Sequence, residues 1–168
     1  FIADWFAEYA EVMIRRLDDR IKLWATLNEP WVVTDGGYLH GALAPGHKNR
    51  FEAPIASHHL LRSHAKAVQA YRALGKHRIG LVVNIEPKYP ASTAPLDLAA
   101  TRRAEAYMNR QYLDPVFHGR YPEEMREIIR DYQNTVAGEI SRFEGYIAKF
   151  MGDGVLAYFG WPRAHEDD

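Results

Sequence analysis

Between Asp4 and Asp19, apolar side chains at Trp5, Phe6, Tyr9, Val12, Met13 and Leu17 recur at helical spacing, with charged residues between them. That period predicts an amphipathic helix with one buried stripe. Lys22–Leu27 reads as a short buried strand, ended by Asn28-Glu29-Pro30 because Pro30 has no N–H to give a ladder. From Thr34 to Ala53 the chain holds Gly36, Gly37, Gly41, Pro45 and Gly46, a density of breakers that predicts a long loop. Pro54 suits the first turn of a helix running to Leu74, and Gly75 the position just past its end. Ile79–Ile85 is an apolar, β-branched run ended by Pro87, hence a second strand, parallel to the first because a helix intervenes.

The next helix opens at Pro95, carries Leu98, Ala104, Tyr107, Met108, Tyr112 and Val116, and ends at Gly119. Another opens at Pro122, with Met125, Ile128, Ile129, Tyr132, Val136 and Ile140 at helical spacing. After Gly145 the period becomes extended. Tyr146–Met151 and Val155–Gly160 read as two strands of a hairpin joined through Gly152-Asp153-Gly154. Helix, strand, helix, strand is the α/β alternation, and the tail is locally antiparallel.

Composition narrows the function classes. With 21 basic and 22 acidic residues the net charge is -1, so no global field attracts nucleic acid or an anionic membrane. Zero cysteines exclude disulfides and thiolate metal sites, and fit a reducing, cytoplasmic location. No apolar run approaches the roughly 20 residues that cross a bilayer. The chain opens without Met inside a predicted helix and stops at His165-Glu166-Asp167-Asp168, so both ends read as interior to a longer sequence. His58, His59 and His64 share a predicted helix without the spacing of a helical metal pair, and His40 and His47 fall in the long loop. These histidines are assigned surface or packing roles.

Chemistry is expected at Glu29. A carboxylic acid and an amide at the end of a strand in a βα alternation stand at the face where barrel enzymes keep their catalytic groups, although such a tripeptide also serves as a turn or helix cap. The stretch Leu23-Trp24-Ala25-Thr26-Leu27-Asn28-Glu29-Pro30-Trp31, followed by Ala44-Pro45-Gly46, resembles the acid/base motif of glycoside hydrolase family one. Asn84-Ile85-Glu86-Pro87-Lys88-Tyr89-Pro90-Ala91-Ser92, Leu113-Asp114-Pro115-Val116-Phe117 and Gly119-Arg120-Tyr121-Pro122 extend the resemblance to about residue 127. It implies a partial (β/α)8 barrel and a retaining β-glucosidase that needs no cofactor and takes a β-glucoside or related saccharide. Glu29 then matches the acid/base and Asn28 the contact to the sugar 2-hydroxyl, while Trp31 either walls the site or packs in the interior. The family's nucleophile motif, Thr-Glu-Asn-Gly, does not occur in the sequence. Glu86 is the one substitute in reach, and in the family that position belongs to a turn. Activity is therefore expected to be impaired.

From about residue 124 the tail resembles class III adenylate cyclase instead, through Ile128-Ile129-Arg130-Asp131-Tyr132-Gln133, Gly145–Gly154 and Tyr158-Phe159-Gly160-Trp161-Pro162. The resemblance implies an adenine contact at Lys149 and a metal ligand at Asp153, both vestigial because the partner aspartate is missing. The chain thus reads as a chimera, residues 1–127 glucosidase-like and residues 128–168 cyclase-like. A barrel needs about 200 residues or more, and only two of its strands are found. Two parallel strands leave both edges unpaired, so self-association through those edges is expected.

Overall fold

A computed structural model describes residues 2–151 and 154–160 of the 168-residue chain. The described contacts fall into two compact units, Phe1–Pro122 and Glu123–Asp168.

The first unit opens with helix α1, Ile2–Leu17, then strand β1, Leu23–Asn28. A helical segment starts at Pro30 and winds as a π-helix over Val32–Leu39. Helix α2, Glu52–Leu74, leads to strand β2, Arg78–Val82. Helix α3, Pro95–Glu105, passes through a second π-helical turn, Ala106–Arg110, into α4, Gln111–His118, which Gly119 ends with φ +65°. Strands β1 and β2 pair in parallel, Trp24 opposite Ile79 and Asn28 opposite Val82, as the intervening helix requires. Among the described residues this sheet has two strands.

Helix α2 organises the core. Ser57, Leu61, His64, Ala67 and Tyr71 follow one another at steps of three or four and are buried. The α1 side contributes Ala3 and Ile14, and the small Ala67 lets the two helices approach. A hydrogen bond from Lys66 to Asp4 ties them on one flank. At the other end Asp18 gathers the chain. Its Oδ1 accepts from Trp24 Nε1 at 3.1 Å and Tyr71 OH at 3.0 Å, and its Oδ2 from the Lys76 amide at 2.9 Å. Burial raises the Asp18 pKa, but those three donors outweigh it and hold the group below its ordinary value.

Four expectations change. The stripe on α1 is not a single buried one: Trp5 is 66% and Tyr9 59% exposed, and the face that packs on α2 is the alanine-rich one. The segment expected as a loop from Thr34 is helical to Leu39, because residues 40–49 fold back and saturate it. The amides of Leu43, His47 and Asn49 donate to the carbonyls of Gly36, Gly37 and Tyr38. A Cβ on Gly37 would stand 2.5 Å from the Ala44 carbonyl oxygen, so this glycine is there for close approach rather than to break a helix. Strand β1, expected as a buried one, has no buried residue, and its Leu23 is 73% exposed. Gly75 stands just past the end of α2, where it was expected. It has extended backbone, and its missing Cβ makes room for the Tyr71 ring. Strand β2 stops at Val82 rather than Ile85, because its partner β1 ends at Asn28, paired opposite Val82, and the chain turns helical at Pro30.

In the second unit, α5 spans Glu123–Arg142, and β3, Tyr146–Met151, pairs antiparallel with β4, Gly154–Tyr158. The expected hairpin is present. Its joining residues 152 and 153 lie outside the described residues. No described helix is long and apolar enough to cross a membrane.

Candidate active site

Glu29 stands one residue past β1, at the carboxyl end of the sheet. Its amide donates to the Val82 carbonyl at 2.9 Å, so the pairing with β2 continues through it. Its φ is +48°, the left-handed region that a residue with a Cβ visits only when its surroundings compel it. The compulsion is visible on both sides. β1 holds the amide, and the buried Pro30 starts a helical turn whose Val32 amide donates back to the Glu29 carbonyl at 2.9 Å. Backbone strain of this kind clusters at active sites and ligand clamps, which makes Glu29 the candidate. The Glu29 side chain is half-buried, and Asn28 beside it is exposed.

The turn is braced from behind by residues that the sequence reading missed. Thr34 is buried, and its hydroxyl donates to the Trp31 carbonyl at 3.1 Å while standing 2.7 Å from the Tyr112 hydroxyl. Burial pushes the Tyr112 phenol up to about 12. Next along the π-helix, Asp35 accepts a hydrogen bond from Tyr107, whose phenol is raised first by burial and then by that carboxylate. His40 Nε2 lies 3.7 Å from the same carboxylate. Asn109, 2% exposed, donates to the Glu86 carbonyl and accepts from the Glu86 amide, both at 2.9 Å. It takes the part of a neighbouring strand for that one residue. The available signal was a polar Asn109 between Met108 and Tyr112 on an otherwise apolar helical face.

Glu86 is thus held by its backbone, and its carboxylate turns to Lys88 at 2.7 Å. The indole N–H of Trp31 and the Asn84 side-chain oxygen are buried without a hydrogen-bond partner among the described residues. His64 packs inside against Thr26, Nδ1 to Oγ1 2.7 Å, and burial lowers its pKa. His58 bonds the Tyr121 hydroxyl at 2.8 Å, and His47 bonds Glu52 at 2.5 Å. Among the described residues no three His, Asp or Glu side chains are grouped to hold a metal ion. Lys149 is exposed on β3 of the second unit, and Asp153 falls outside the described residues.

Comparison with known proteins decides the family. The model of glycosyl hydrolase family 1 matches residues 1–151. The chain belongs to glycosyl hydrolase family 1. Beta-glucosidase A of Thermotoga maritima is 44% identical to this family-1 chain over 133 residues, 78% of the chain and 30% of the relative. Beta-glucosidase 26 of Oryza sativa is 39% identical over 153 residues, 84% of the chain and 30% of the relative. A solved family 1 β-glucosidase from Thermotoga maritima superposes with a TM-score of 0.74 at 43% identity, over 78% of this chain and 30% of that one. The family-1 chain therefore spans about a third of the length of the relatives it matches.

The family match runs past the boundary expected at residue 127 and across Lys149. These comparisons give the cyclase resemblance of the tail no support.

Proposed function

We propose that the chain is part of a (β/α)8 barrel of a retaining β-glucosidase, with Glu29 as its acid/base. The observation that carries this reading is Glu29 itself, held at φ +48° past the end of a parallel strand inside a family-1 match. The relatives' names add to it, since several are β-glucosidases, and a Thermotoga maritima neighbour was solved in complex with isofagomine lactam.

In the retaining reaction the Glu29 carboxylic acid gives its proton to the glycosidic oxygen as the bond to the anomeric carbon breaks. A second carboxylate, about 5 Å away, bonds to that carbon. Glu29, now ionised, then takes a proton from the water that displaces the second carboxylate. Asn28 holds the sugar 2-hydroxyl, a contact that strengthens as charge develops on the ring, and Trp31 walls the site. The nucleophile motif is absent from the sequence, so turnover by the chain alone is impaired. Glu86, pinned by Asn109 and paired with Lys88, is no replacement.

The test is Glu29→Gln. On phenyl β-glucoside, hydrolysis is expected to slow by about 10²-fold or more. The loss should shrink on a dinitrophenyl β-glucoside, whose leaving group needs no proton. Equal rates for both proteins on both substrates would remove Glu29 from the mechanism.

Three further readings belong to this proposal. The open edges of the β1–β2 sheet pair with a second copy in solution. The lack of cysteine accords with a cytoplasmic setting. For the tail we keep a change of ancestry near residue 127, a boundary close to the division between the two compact units. No nucleotide chemistry is assigned to Lys149 or Asp153, since no observation favours it.

A further inference from the structure

We propose that the hydroxyl pair of Thr34 and Tyr112 is a positioning device for Glu29, holding the turn that fixes where its carboxyl group stands. The inference rests on the acid/base reading above and concerns how that group is aimed.

The Thr34 hydroxyl has one proton, and it goes to the Trp31 carbonyl at 3.1 Å. The 2.7 Å contact with Tyr112 must then be donated by the phenol. The chain of bonds has a direction: Tyr112 O–H to Thr34, Thr34 O–H to Trp31. Its end lies two residues after Glu29, inside the one turn whose Val32 amide closes on the Glu29 carbonyl. Both hydroxyl-bearing residues are buried, Tyr112 completely, so neither oxygen is exchanged freely with water.

Tyr112 comes from α4, immediately after the second π-helical turn, and Thr34 from the first π-helix. Thr34 in the first π-helix and Tyr112 in the helix that follows the second, 78 residues apart in sequence, are therefore linked behind one glutamate. A π-helical turn adds a residue to the helical circuit and re-aims the side chains that follow, which is why such turns gather at functional sites. The phenol remains a donor throughout the neutral range because burial keeps it protonated. The brace thus does not titrate alongside the group it supports. Tyr107, in the second π-helical turn, adds a further link to the first π-helix through Asp35, one residue beyond Thr34.

The test follows the carboxyl group of Glu29 in the full chain by ¹³C NMR titration, assigned with Glu29→Gln, and the exchange of the Val32 amide with solvent. Thr34→Val deletes the hydroxyl at nearly constant volume. It is expected to raise exchange at Val32 by about 10-fold, a local opening, and to displace the Glu29 titration midpoint. Thr34→Ser keeps the hydroxyl and is expected to restore both, while Tyr112→Phe, lacking the first donor, shifts both in the same direction as Thr34→Val. An unmoved Glu29 midpoint in folded Thr34→Val and Tyr112→Phe proteins would overturn the proposal. So would a serine variant that behaves like valine. If Thr34→Val fails to fold, the Tyr112→Phe and Thr34→Ser comparison decides alone. Neither readout needs turnover, so a failed hydrolysis test combined with a moved midpoint would leave the device standing and remove the acid/base role.

Discussion

At the scale of single residues, the acid/base role proposed for Glu29 sets function against stability. Its left-handed backbone costs about 1 kcal/mol for a residue with a Cβ and nothing for glycine. Glu29→Gly is therefore expected to raise the urea midpoint by an amount equivalent to about 1 kcal/mol while abolishing hydrolysis, the reverse of an ordinary glycine substitution. Asn109 illustrates the opposite case. Replacing it with Ala leaves the Glu86 amide and carbonyl unpaired, and the expected loss is about 3 kcal/mol in the same assay. His64 contributes a pH dependence. Burial holds its pKa below the ordinary 6.5, so the unfolded chain binds the proton more readily than the folded one. Stability from this group is complete above that value and is lost as the pH falls through it. Urea midpoints measured from pH 7 down to pH 5 should decline, and His64→Gln should flatten the decline.

At the scale of elements, what could be read in advance was whatever rests on period and punctuation. β1, α2, the onset of α3 at Pro95 and the stop at Gly119 follow from apolar spacing, proline at a first turn and glycine in a left-handed cap. The π-helix over Val32–Leu39 did not follow, because its stability comes from amides of residues 43–49 that return to its carbonyls. Local pattern carries no trace of such a return. Gly36 and Gly37 were legible as glycines but not as contact points. Gly37→Ala is expected to cost about 2 kcal/mol or more, since its Cβ would stand against the Ala44 carbonyl. The candidate site divides the same way. Asn28 and Glu29 announce themselves through a motif on one short segment. Tyr107, Asn109 and Tyr112 matter through partners more than 20 residues distant, and Thr34 through Tyr112 as well as its neighbour Trp31.

At the scale of the molecule, the first unit carries more apolar surface than its own core uses. Helix α1 buries Ala3 and Ile14 yet leaves Ile2, Trp5, Tyr9 and Val12 in solvent at steps of three and four. That second stripe explains why the apolar period of α1 was read as a core face: the sequence encodes two faces, and α2 covers one. The same unit holds a two-stranded parallel sheet, with Leu23 exposed on β1 and Val82 on β2. Parallel strands ordinarily occur covered on both faces and paired at their edges. Light scattering of the purified chain is expected to give a mass above that of one copy. A single-copy mass for the unaltered chain would contradict the edge-pairing proposal.

The claim on which the rest depends is that this fragment of a family-1 barrel carries the proton donor for glycoside cleavage. Its most direct measurement is the ratio of hydrolysis rates of the unaltered and Glu29→Gln chains on phenyl β-glucoside, taken in the presence of formate as a surrogate nucleophile. Formate-stimulated cleavage is expected, falling by about 10²-fold or more on the substitution. Formate-stimulated cleavage that proceeds equally in both proteins, or no cleavage in either, would contradict it.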